Sequence, residues 1–223
     1  MTIKSKRSHW IAGILTLLLV GGIGLVIIAT KEQSELDMLL AAFGNDVNAV
    51  NKHGDTALHL AAAGGWGGIE TVQFLVDKGA DVNAKCNNGS TALGIAVGHE
   101  DIEIVKFLIS KGADVNVMPK HGAFTMLHIA AAKANIEIIE LLVSAGADVN
   151  AANTSGYTPL HWTTAPYMYM SDGTVQYADV EIAKFLVSAG ADVHAKNNDG
   201  KTPLDTAKEN GHTVAVEYLS SIR

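Results

Sequence analysis

The chain has 223 residues, of which 16 are basic and 23 acidic, giving a formal charge of −7 with 48% apolar and 17% charged residues. That balance excludes a disordered or collagen-like chain and sets the protein against phosphate backbones, so no nucleic-acid partner is expected. The single cysteine, Cys86, rules out an intrachain disulfide framework and any multi-cysteine zinc site.

Lys4, Lys6 and Arg7 mark a basic N-terminus over residues 1–9, followed by an uncharged run, Trp10–Ala29, whose only polar side chain is Thr16. As a helix rising about 1.5 Å per residue, the run spans a hydrocarbon core about 30 Å thick, so residues 10–30 are expected to be a transmembrane anchor. The charge asymmetry keeps the N-terminus cytoplasmic and the remainder extracytoplasmic, periplasmic if the source is bacterial. The alternative is a cleaved signal peptide, with Ile27-Ile28-Ala29 at the cleavage point and the rest secreted, although secretory apolar regions run only about 7–15 residues. A short linker, residues 31–34, follows. Beyond residue 30 the balance is 13 basic against 23 acidic side chains, or −10.

A repeat governs the rest of the chain. Gly-Ala-Asp-Val-Asn occupies 79–83, 112–116 and 146–150; 190–194 differs only at His194, and Gly44-Asn45-Asp46-Val47-Asn48 is a near match. After each copy comes a threonine signature: Thr56-Ala-Leu-His59, Thr91-Ala-Leu93, Thr125-Met-Leu-His128, Thr158-Pro-Leu-His161 and Thr202-Pro-Leu204. The threonines are 35, 34, 33 and 44 residues apart, and a period near 33 means one supersecondary unit repeated and stacked. Thr56, Thr91, Thr158 and Thr202 suit helix N-caps, with Pro159 and Pro203 at the first helical position. The second helices show apolar stripes, Ile102, Val105, Leu108 and Ile109, then Ile136, Ile139, Leu142 and Val143. Gly79, Gly112, Gly146 and Gly190 are placed to end these helices in the left-handed region.

On these residues the sequence resembles the ankyrin-repeat family, whose motif is TPLHxA followed by a second helix and GADVN. The resemblance implies an all-α repeat solenoid, an ankyrin-repeat stack of helix-turn-helix pairs with hairpin fingers, following one transmembrane helix. It covers residues 35–223: a half repeat at 35–48, then repeats at about 49–83, 84–116, 117–150, 151–194 and 195–223. It further implies a protein-binding module rather than an enzyme, with a protein partner and neither cofactor nor small-molecule substrate. The family's usual surface is the concave one, built from finger tips and first helices. Here it maps onto Lys52, His53 and Asp55; Asn87, Asn88 and Ser90; Lys120, His121 and Phe124; Thr154, Ser155 and Tyr157; and Asn198, Asp199 and Lys201. Asn51, Cys86, Asn153 and Asn197 replace the aspartate usual in the fingers.

Two insertions mark a second candidate edge. One surrounds Trp66; the other, which lengthens its unit by eleven residues at roughly 166–177, holds Tyr167, Met168, Tyr169, Met170 and Tyr177. Tyrosine and methionine are enriched in interface cores, so this Tyr/Met loop is a candidate for partner specificity. His59, His128 and His161 are expected to hydrogen-bond neighbouring backbone. A soft-metal site of Met168, Met170 and His161, serving a metal- or redox-linked accessory role, is the competing chemistry. No phosphate-binding Gly-rich loop ending in Lys-Ser/Thr and no G-x-S-x-G nucleophile motif occurs, which argues against catalysis.

Overall fold

The computed structural model describes residues 46–64, 67–119, 124–164, 166–169, 175–177 and 180–222. The expected membrane segment, residues 35–45 of the half repeat, Trp66, Lys120, His121 and Met170 lie outside these. Among the described residues no helix is long and apolar enough to cross a membrane.

Helices come in pairs: α1 (Ala57–Ala62) with α2 (Ile69–Asp77), α3 (Ala92–His99) with α4 (Ile102–Ser110), and α5 (Met126–Ala132) with α6 (Ile136–Ser144). Then α7 (Pro159–Thr163) pairs with α8 (Val180–Ser188), and α9 (Pro203–Asn210) with α10 (Thr213–Ser221). Helices this short are not stable alone in water; packing holds them. Each first helix lies on its own partner and on the first helix of the next pair, α1 on α3, α3 on α5, α5 on α7 and α7 on α9. The second helices stack likewise, α2 on α4, α4 on α6 and α8 on α10. One apolar core runs through the pairs, with Leu58, Leu75, Leu93, Leu108, Leu127, Ile138, Leu142, Leu160 and Leu186 all fully buried.

The starts and stops follow local chemistry. Every signature threonine stands in extended backbone at an N-cap. Asp101 and Asn135 cap α4 and α6 by accepting from the Ile104 and Ile138 amides at 3.1 Å each. The second helices end at Gly79, Gly112, Gly146 and Gly190, whose φ lies between +84° and +96°. After α3 and α5, however, the left-handed position is held by Glu100 (φ +59°) and Ala134 (φ +55°), where the last pair has Gly211.

Two expectations need correction. The buried stripe of the second helices is Ile104, Val105 and Leu108, and then Ile138, Ile139 and Leu142. Steps of 100° put those three positions on one face and leave residues 102 and 109 on its flank, so Ile102 is only half-buried and Ile136 is 37% exposed. The helix pairs form an all-helical stack, and the second correction concerns the long insertion between α7 and α8. Within the long insertion β1 (Pro166–Tyr169) pairs antiparallel with β2 (Val175–Tyr177), in register Pro166 with Tyr177 and Tyr169 with Val175. Alternating Tyr-Met-Tyr suits a strand, and this hairpin replaces the expected loop.

Polar ladders tie the units together. Asn48 donates from Nδ2 to the Gly79 carbonyl at 3.1 Å and accepts the Asp81 amide at 2.8 Å. Asn83, Asn116 and Asn150 repeat both bonds to Gly112 and Asp114, Gly146 and Asp148, and Gly190 and Asp192. The aspartate of each loop accepts the amide two residues on, at Asn48, Asn83, Asn116, Asn150 and His194.

Because a side chain in the left-handed region costs about 1–2 kcal/mol, Ala134→Gly is expected to stabilise the fold by about 1 kcal/mol, read as a higher urea midpoint. Leu142→Ala, at a fully buried position in mid-stack, is expected to destabilise by about 2–5 kcal/mol in the same titration.

Candidate functional site

The face formed by the fingers and first helices is set by a histidine in the third place after the threonine. In the first pair the Thr56 amide donates to His59 Nδ1 at 3.2 Å, and His59 Nε2 meets the Ser90 carbonyl of the next unit at 3.1 Å. An amide can only donate, so Nδ1 is the bare nitrogen and Nε2–H donates onward. His128 makes the same bonds to Thr125 and Tyr157, and His161 to Thr158 and Lys201. The expected backbone role of these rings is thus met. His161 has both ring nitrogens engaged, which removes it from the soft-metal set with Met168 and Met170. Among the described residues no group of three His, Cys, Asp or Glu side chains is placed to hold a metal ion.

Burial holds His128 and His161 below the ordinary imidazole pKa, against the raising effect of the carbonyl each ring reaches. A second proton on either ring would set an N–H against the threonine amide.

The finger polar groups mostly bind one another. The Asn87 amide donates to the His53 carbonyl at 3.0 Å and its Nδ2 to the Lys52 carbonyl at 3.2 Å. Asn198 reaches Ser155 and Thr154 in the same way, each at 3.0 Å. Gly54 and Gly156 make this approach possible: a Cβ there would stand 2.5 Å from Asn87 and 2.7 Å from Asn198. Asn51, Asn153 and Asn197 do the work of the usual aspartate, each accepting two amides of its own finger on Oδ1. In the second finger Cys86 is buried and donates to Asn88 Oδ1, which also accepts the Ser90 amide. Asp55 accepts from Asn51 Nδ2, and Lys201 is paired with Glu209 at 2.7 Å, which raises its pKa. The exposed side chains of Lys52, His53, Thr154, Ser155 and Asp199 remain on the rim.

What the structure gathers is aromatic. Phe124, 41% exposed, meets Trp162 edge-on with centroids 5.1 Å apart. Tyr157 lies 6.3 Å from Trp162 and 5.4 Å from His161, and Phe124 lies 6.0 Å from His128. Trp162 stands at the x of the T-P-L-H-x pattern, in line with half-buried Leu60, Ile95 and Ile129 of the preceding units. Its Nε1 is buried with no hydrogen-bond partner among the described residues. Sequence reasoning selected Phe124 and Tyr157 but missed Trp162 and the row it ends. The signal was available, because one apolar residue recurs at that place in four consecutive units. Tyr167, Met168, Tyr169 and Tyr177 lie on the hairpin, which leaves α7 at the end away from the finger.

Family models agree with this architecture. One described as ankyrin repeats (3 copies) matches residues 25–119, one described as ankyrin repeats (many copies) matches 101–143 and 127–162, and one described as ankyrin repeat matches 155–198. The chain is built of ankyrin repeats. A protein of Acanthamoeba polyphaga mimivirus, itself named for ankyrin repeats, is 45% identical over 56 residues, 24% of this chain and 10% of the relative. The potassium channel AKT1 of Oryza sativa subsp. indica is 34% identical over 85 residues, 36% of this chain and 9% of the channel. The chain thus matches only about a tenth of the length of these curated relatives. Ankyrin repeats are interaction modules, typically without catalytic activity.

The depressed histidines set a pH dependence. The unfolded rings titrate near about 6.5, so at lower pH the unfolded state binds more protons than the folded one. The stability they contribute is fully present above that value and is lost as pH falls through the lower folded pKa. The urea midpoint should therefore drop between about pH 7.5 and about pH 5.5, and drop less in the His128→Asn, His161→Asn double variant.

Proposed function

We propose that this ankyrin array is a membrane-tethered module that holds a partner protein against the face lined by its fingers and first helices. The observation that supports this best is the Phe124–Trp162–Tyr157 cluster on that face. Partly exposed aromatic side chains on a rigid scaffold carry much of the energy of protein interfaces, since little ordering entropy is lost when they are covered. The −10 charge beyond residue 30 favours basic partners in encounter rate and selectivity.

Tethering is supported by the uncharged Trp10–Ala29 run behind its basic start. The repeats then lie outside the cytoplasm, close to the bilayer. Cleavage of that segment would instead release the same module as an exported binder, and N-terminal sequencing of the mature protein separates the two.

Trp162→Ala and Phe124→Ala are expected to weaken capture of a stable partner from membrane extracts by roughly tenfold or more each. Equal capture by both variants, with loss instead in Tyr169→Ala or Trp66→Ala, would move the interface to the insertion edge. For topology, Ser155→Cys adds an exposed thiol to a chain whose own Cys86 is buried. An impermeant maleimide should label that variant in spheroplasts without detergent; labelling only after detergent would place the array in the cytoplasm.

A further inference from the structure

One joint in the array lacks a bond that its neighbours share. His59, His128 and His161 each carry an imidazole from the start of a first helix to a carbonyl of the next unit, those of Ser90, Tyr157 and Lys201, at 2.8–3.1 Å. The second unit has Gly94 in that place, so no ring accepts the Thr91 amide and none crosses to the Phe124 carbonyl of the third unit. α3 alone among the described helices contains glycine, at Gly94 and Gly98, which weakens it as a helix. The opposite side of the same joint is tied. Asn116 donates to the Gly146 carbonyl at 3.0 Å and accepts the Asp148 amide at 2.9 Å. Lys106 meets Glu137 at 2.8 Å, and Glu100 meets Lys133 at 3.7 Å and Asn135 Nδ2 at 3.2 Å.

We propose that the array flexes at a hinge between its second and third units, the first helices α3 and α5 parting on the finger side while the second helices α4 and α6 stay tied. The Asn116 bonds and the packing of α4 on α6 supply the axis. Toward the fingers, α3 and α5 are joined by apolar packing without the imidazole bond. Apolar contact has no preferred direction, whereas a hydrogen bond is lost outside a narrow range of distance and angle, so this joint tolerates a change of bend that the stapled joints resist. Units one and two then move as one body, held by His59, and units three to five as another, held by His128 and His161. The Phe124–Trp162–Tyr157 cluster lies wholly in the second body. A partner reaching from the first two fingers to that cluster meets a face whose bend adjusts at one point. The hinge itself holds whether or not the cluster binds a partner.

Buried thiols read the opening of each joint. Residues i and i+4 share a helix face, so Ala130 lies on the side of α5 from which Met126 reaches toward Gly94. Ala96 and Thr163 are its counterparts one unit before and one unit after, and all three are at most 1% exposed. Each is changed to cysteine, singly, in the full chain in detergent. Cys86→Asn removes the native thiol and supplies the residue found in the first, fourth and fifth fingers. The rate of labelling by a maleimide, divided by the rate in urea-unfolded chain, gives the opening equilibrium. Each hydrogen bond absent from the joint ordinarily shifts such an equilibrium by roughly two- to tenfold, so Ala130→Cys should label roughly tenfold faster than Ala96→Cys and Thr163→Cys. Gly94→His, which puts back the ring, should bring it down to their rate. Gly94→Ala, which strengthens the helix without supplying a ring, should slow it much less. If the histidine variant does not fold, the converse change serves: His59→Gly should speed Ala96→Cys by roughly tenfold. Equal labelling at the three positions would overturn the hinge. So would a rate at Ala130→Cys that ignores Gly94→His or falls as far with Gly94→Ala, and so would a rate at Ala96→Cys that ignores His59→Gly.

Discussion

No helix pair in this array can bury its own apolar face, and everything else in the structure answers to that constraint. Helices of five to nine residues fall below the length at which a helix persists in water, so each exists because its neighbours cover it. The cover must be in register, and side-chain hydrogen bonds set that register. The histidine of one unit finds the carbonyl that precedes the next unit's threonine. The loop asparagine finds both a carbonyl and an amide of the following loop. Both devices satisfy backbone groups that the turns would otherwise leave without partners.

A scaffold so uniform carries its individuality in its departures. The third finger is a residue longer and delivers Phe124 next to Trp162; the fourth unit carries the β1–β2 hairpin; the second unit lacks its ring at Gly94. Phe124 thereby meets Trp162 edge-on across the boundary between two units. Four exposed ion pairs decorate the described surface, among them Lys106–Glu137 at 2.8 Å between successive second helices, and pairs of this kind contribute little to stability.

Much of this was legible in the sequence because repetition turns one weak signal into several independent ones. The threonine caps, the left-handed glycines, the backbone-bonded histidines and the pairing of helices all follow from residues that recur. What recurrence could not supply was orientation. Ile136 and Ile139 look alike in a periodic pattern, yet only Ile139 faces the core, because the choice belongs to the neighbouring pair rather than to the helix itself. The hairpin occurs once, so no comparison between units tells it from a loop. Trp162 is hidden for a similar reason: the row it ends is visible only when the units are aligned with one another. Asn87 and Asn198 looked like free finger polarity, and their engagement with adjacent fingers depends on glycines 54 and 156, a relation between distant positions.

The ladders between repeats have a consequence for ionic strength. Their rungs are amides, carbonyls and neutral imidazoles, with each loop aspartate bonded to an amide of its own turn, and charge pairs add only a thin exterior. Salt screens exposed charges beyond about 8–10 Å but acts weakly on short hydrogen bonds between neutral groups. The net negative field can therefore be strengthened or damped by the surrounding electrolyte while the spacing of the repeats stays fixed. Encounter rates with charged partners become adjustable by medium, and the shape offered to them does not.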